Sequence, residues 1–147
     1  MHWLRVPLIA WHQIRNWIEN PALIEIEDSV LVEIDVSNRS YAVQVEEEDW
    51  EQITRDSILI IDPQLIPTHK DYAIVYKEGQ DLPTLKQVLI DESKIHLKPL
   101  NTYFPPTIYD LTYQFFGVVV QIKKNTKAYS NSSKETRHVI VERASKT

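Results

Sequence analysis

Cysteine is absent from the 147 residues, and glycine occurs only twice, at Gly79 and Gly117. The first absence excludes a disulfide framework, a thiolate zinc site and a cysteine nucleophile together. The second excludes phosphate-binding loops of the Walker and dinucleotide kinds, which need several positions without a side chain. An excess of positive charge is also missing, the formal net charge being -5, so this chain is not expected to bind nucleic acid directly. No apolar run approaches the roughly 18 residues of a membrane helix. The opening Met1-His2-Trp3-Leu4-Arg5 lacks the basic-then-apolar layout of a signal peptide. A cytoplasmic protein without membrane contact is the resulting expectation. The five histidines are scattered without ligand spacing, and no Gly-x-Ser-x-Gly elbow exists, so neither a metal, a cofactor nor a serine-hydrolase site is expected. The acidic run Glu46-Glu47-Glu48-Asp49 reads as a solvated loop, since adjacent carboxylates repel and no second cluster completes a cation shell.

What is present points to a mainly β chain, long enough for one core and too short for two ordinary domains. Eight prolines interrupt helices, and β-branched residues come in runs. Tyr41, Val43 and Val45 alternate with Gln44 and Glu46, the period-two pattern of a strand with one wet side. Ser57 to Asp62 is continuously apolar and closed by Pro63, as in a strand buried on both faces. Further strands are predicted at 71–76, 86–90, 94–97 and 115–123, with a hairpin connection at 77–81 and an irregular crossing at 99–106. Phe115 to Val120 is apolar enough for either core or interface. Residues 1–20 are ambiguous by pattern: Leu8, Trp11, Ile14 and Ile18 have near-helical spacing, and Trp3, Trp11 and Trp17 form a bulky stripe, which suits a short amphipathic helix weakened at its start by Pro7. Residues 125–135 read as a mobile polar tail.

Several stretches together resemble one family. Arg5-Val6-Pro7-Leu8-Ile9-Ala10-Trp11-His12-Gln13 is similar to the opening of the C-terminal domain of LexA and phage CI-like repressors, where an apolar strand leads through Trp and Gln to a self-cleaved Ala-Gly bond. Val45-Glu46-Glu47-Glu48-Asp49-Trp50 stands where that family has Val-Glu-Gly-Asp/Asn-Ser-Met. Ser57 to Pro63 resembles its apolar strand ending in Asp-Pro, and 71–76 its next strand. Thr84 to Ile90 looks like the strand bearing the catalytic lysine, here Lys86, and Leu97-Lys98-Pro99-Leu100-Asn101 matches Leu-x-Pro-Leu-Asn.

The resemblance implies strongly twisted antiparallel sheets of the LexA C-terminal, signal-peptidase-like type. It places a peptidase-type domain at 1–124, with a degenerate cleavage region at 1–20. A polar extension follows at 125–147, with an edge strand expected at 138–143. In the family a neutral lysine deprotonates a serine that attacks the Ala-Gly carbonyl. Here Asp49 takes the serine's place, and Ile14-Arg15 replaces the two small residues that give the substrate turn its freedom. A carboxylate beside Lys86 would raise the lysine's pKa and hold it charged, so a buried Asp49–Lys86 pair and no active catalytic residues are expected.

The resemblance further implies a homodimer. The chain begins almost at the cleavage-region strand, so no helix-turn-helix reading head is expected within it. Three roles follow. One is the non-catalytic dimerisation and regulatory domain of a phage-type repressor, working with a full-length repressor or with a helix-turn-helix domain in trans. Another is a UmuD-like or headless partner of a repressor or a polymerase. The third is an active Ser/Lys-type peptidase with atypical residues.

Overall fold

A computed structural model describes residues 3–46, 53–100, 103–127 and 136–142, with side chains through residue 124. The described residues make ten strands and one short α-helix: β1 (Leu4–Leu8), a 3-10 turn (Trp11–Gln13), α1 (Ile14–Glu19), a second 3-10 turn (Pro21–Leu23), β2 (Asp28–Val32), β3 (Tyr41–Gln44), β4 (Ile58–Asp62), β5 (Tyr72–Lys77), β6 (Thr84–Asp91), β7 (Lys94–Pro99), β8 (Thr107–Ile108), β9 (Tyr113–Lys127) and β10 (Thr136–Glu142). All ten belong to one sheet with the order β2-β1-β3-β4-β9-β5-β6-β7-β8, and β10 pairs with β9 outside that path. Its pairings are antiparallel except for a parallel contact between β1 and β3, at Leu8 opposite Ala42, and this large, mainly β sheet agrees with the expected fold class.

Alternation along the strands sorts the side chains onto two faces. Tyr41, Val43, Leu59, Ile61, Ile74, Tyr76 and Leu85 point to the face that α1 covers, forming the main core with Ile14, Trp17, Phe116 and Ile122. The neighbouring residues Ala42, Ile58 and Ile60 point the other way and pack with Val6 and Val32. Ala73, Val75, Val88 and Leu97 form a third cluster on that opposite side, joined by Tyr109, Tyr113 and Phe115. Every residue of β4 is buried, as its unbroken apolar run requires.

Strand β9 organises the sheet because it pairs with β5 through its first half, with β4 through its middle and with β10 at its end. Two register shifts bend it, leaving Phe116 extra opposite β5 and Val120 extra opposite β4. Bulges of this kind increase local twist. Gly117 at the first bulge has φ +138°, and a Cβ there would run into the Ile61 side chain and the main chain of Pro63, so glycine is required. The bulged Phe116 carbonyl accepts a 2.9 Å hydrogen bond from the buried Tyr41 hydroxyl, and burial pushes that phenol well above its ordinary pKa. The apolar run from Phe115 thus has Phe116, Val118 and Val119 buried within this chain.

Three departures from the sequence reading have simple causes. β2 and β8 carry no strong alternation of their own and become strands by pairing with β1 and β7. Residues 125–127, read as the start of a mobile tail, continue β9 by pairing with β10. Pro7 does not open a helix, since β1 runs through it to Leu8 and the helical segment begins after Ala10.

Candidate functional site

Ile14 and Arg15, which the sequence resemblance aligns with a scissile pair, lie at the start of α1. The N-terminal segment reaches that helix through fixed main-chain contacts. The Ile9 amide donates to the Ala42 carbonyl at 2.9 Å, and the Gln13 side chain accepts from the Ala10 amide at 2.9 Å, tying off the first 3-10 turn. The Trp11 indole donates to the Gln44 carbonyl at 2.8 Å. Ile14 is fully buried in the main core. Arg15 remains at the surface, ion-paired to Glu19 one turn on, and donates to the Tyr76 hydroxyl at 3.0 Å with its guanidinium over the Tyr76 ring. Tyr76 in turn stacks on Phe116 at 5.3 Å. The end of α1 is clasped reciprocally: Trp17 donates to the Arg39 carbonyl at 2.7 Å, and Arg39 donates back to the Trp17 carbonyl at 3.1 Å. The positively charged Arg39 suits a helix C-terminus, where unpaired carbonyls concentrate negative potential.

Lys86 sits elsewhere. On β6 it stands opposite Ala73 of β5 and Pro99 of β7. Because side chains alternate, Lys86 shares the face of Val88, Ala73 and Val75, whereas Leu85 faces the core that holds Ile14. The structure therefore separates Lys86 from the Ile14-Arg15 pair by the thickness of the sheet. Asp49 lies outside the described residues, as does Asn101 of the Leu-x-Pro-Leu-Asn stretch.

Burial lowers the Lys86 pKa from its ordinary value, and nearby Tyr113 opposes this only in part. Among the described residues no hydrogen-bond or ion-pair partner holds the amine. Desolvation disfavours the ammonium, and the expected acidic neighbour Asp49 lies outside the described residues.

The loop that would carry the nucleophile is entered through Val45 and Glu46. Val45 is pinned on both sides, its amide to the Ser57 carbonyl at 2.8 Å and its carbonyl to the Asp56 amide at 2.9 Å. Asp56 takes the left-handed conformation, φ 71°, to make that return. Glu46 also borders an open groove of about 370 Å³ lined by Leu8, Trp11 and Gln13 and made acidic by Glu25, Glu27 and Asp28. Among the described residues no group of three or more His, Asp or Glu is placed to hold a metal, and no helix is long and apolar enough to cross a membrane.

Periodicity located the tryptophan stripe but not Arg39, the partner of Trp17, nor Tyr76, the partner of Arg15. Both contacts cross more than 20 residues of sequence, so no local spacing announces them. Of the stripe, Trp17 is buried, Trp11 is half-buried and Trp3 is exposed.

Residues 7–120 match the family described as Peptidase S24-like. Among similar proteins are a helix-turn-helix-type transcriptional regulator of Coxiella burnetii, 26% identical over 82% of this chain, and the repressor protein C2 of Salmonella phage P22, 26% identical over 80%. A helix-turn-helix-type regulator for the conjugative element R391 of Providencia rettgeri is also 26% identical, over 80% of this chain. The matches span only 58 to 59% of those proteins' own length.

Proposed function

Since the chain belongs to the Peptidase S24-like family, we propose that it is the regulatory, dimer-forming domain of a phage-type transcriptional repressor that has lost self-cleavage. It would act in the cytoplasm as a homodimer, beside a helix-turn-helix domain supplied in cis or in trans. The observation that carries the loss of cleavage is the state of Ile14. A self-cleaving chain must offer the bond after residue 14 to its nucleophile as extended main chain. Here Ile14 opens α1 and is fully buried, on the sheet face opposite Lys86. Presenting the bond would require unwinding α1 and withdrawing Ile14 and Trp17 from the core, at roughly 1.5–3 kcal/mol for each side chain. Asp49 adds a chemical obstacle. A carboxylate has no proton for a lysine to remove, and its attack on a peptide carbonyl would give an anhydride.

The burial-lowered pKa of Lys86 favours one second reading, in which the lysine still serves as a general base for a different hydroxyl. A single experiment separates the two. The purified chain is incubated at alkaline pH and its intact mass followed alongside Lys86→Ala. An unchanged mass in both supports the inactive reading. Two fragments divided at Ile14-Arg15 in the parent but not in the variant would establish the peptidase instead.

A further inference from the structure

The net charge of -5 averages two parts of opposite sign. Residues 123–147 contain seven Lys or Arg against two Asp or Glu, whereas residues 1–122 contain nine against nineteen. The basic part includes the ribbon formed by the end of β9 and by β10. The pairing of β9 with β4 ends at Lys123, and with β5 at Val118. Beyond Lys123 the described partner of β9 is β10 alone, in the register Lys124 opposite Val139, Thr126 opposite Arg137 and Lys127 opposite Thr136. The two strands thus leave the sheet as an antiparallel ribbon with basic residues on both strands.

The root of this ribbon is fixed. Lys123 is buried and reaches across to donate to the Leu31 carbonyl on β2 at 2.7 Å. Its charge is engaged within the fold, which leaves Lys124, Lys127 and Arg137 as the basic residues of the paired segment. A two-stranded ribbon has the dimensions of an element that enters the major groove, about 12 Å wide. The charge split also orients the domain. A polyanion attracts the ribbon and repels the acidic remainder, so an approaching duplex meets the ribbon first.

We propose that the β9–β10 ribbon is a nucleic-acid contact that binds the phosphate backbone of duplex DNA without reading its sequence. The inference reverses the expectation drawn from the whole-chain charge, and it stands or falls independently of self-cleavage. The partner is a regular array of phosphates, and binding follows from counterion release, with a salt dependence set by the number of phosphates neutralised.

The test is fluorescence anisotropy with the complete chain and a labelled duplex of arbitrary sequence, about 20 base pairs long, titrated between roughly 50 and 200 mM salt. Three phosphate contacts would give a log–log salt slope of about -2.7. The triple variant Lys124→Ala, Lys127→Ala, Arg137→Ala should weaken binding at least about tenfold at low salt, and each single variant should flatten the slope by about one unit. Circular dichroism establishes that each variant is folded, and the single variants decide the matter if the triple variant is not. Absence of binding at low salt overturns the proposal, as does binding with the parent slope in the folded variants. The other overturning outcome is salt-sensitive self-association without DNA binding, abolished both by the ribbon variants and by Glu25→Gln with Glu27→Gln. That result would make the ribbon a contact to the acidic groove of a second copy.

Discussion

Ile14 and Lys86 stand for two regions that the sheet treats in opposite ways. Around Ile14, the N-terminal segment is fastened by apolar burial, by indole and arginine hydrogen bonds to main chain, and by a guanidinium on a stacked tyrosine. Around Lys86, a half-buried amine rests on a small cluster beside Tyr113, with no described ion pair. In this chain the segment around Ile14 belongs to the main core, while Lys86 lies half-buried on the other face, where burial lowers its pKa. One sheet can thus hold a fully buried apolar anchor against one face and a half-buried cation on the other.

The largest expected effect that would break this contrast is from Ile14→Ala. Removing a fully buried isoleucine from the main core should lower unfolding free energy by about 2–5 kcal/mol, measured by urea denaturation. A change below about 1 kcal/mol would mean that the segment is not part of the core. Next is Tyr41→Phe, which leaves the bulged Phe116 carbonyl without its donor and should cost about 1–3 kcal/mol by the same measurement. An unaltered midpoint would show that the bulge does not depend on that bond.

A smaller effect comes from proton linkage at Lys86. A lysine whose folded pKa is lowered binds fewer protons in the native state than in the unfolded one. Stability should therefore rise with pH from the lowered folded value up to the ordinary 10.5. Lys86→Met should flatten that rise in denaturation midpoints taken across the alkaline range. Some slope will remain, since burial also lowers the pKa of Lys123. A steeper rise in the variant would place a compensating anion beside Lys86. The smallest effect is that of Arg15→Ala. Its ion pair to Glu19 is exposed and worth little, so the loss should be well below that of Ile14→Ala. It should show as faster proteolysis within 11–19, and an equal loss would make Arg15, and not Ile14, the principal anchor.

Much of the sheet was legible in sequence because strands with a period-two pattern or an unbroken apolar run must bury what they carry. β3, β4, β5 and β6 follow from Tyr41-Val43-Val45, from Ser57 to Asp62 and from the two segments flanking Gly79. β2 and β8 were not legible, being short, partly exposed strands whose ladder bonds come from partners distant in the chain. Of the candidate site, the identities of Ile14, Arg15 and Lys86 could be read, but not their mutual placement.

Composition, residue identity and periodicity by themselves determined the class: a cysteine-free, mainly β chain with an acidic body and a basic C-terminal part. Only the tertiary structure decided that Ile14 is core, that Arg15 docks on Tyr76, and that Lys86 looks out from the other face. Local pattern fixes which residues must be buried. The side of a twisted sheet on which two distant segments meet depends on pairings made across the whole chain, and no stretch of sequence contains those alone.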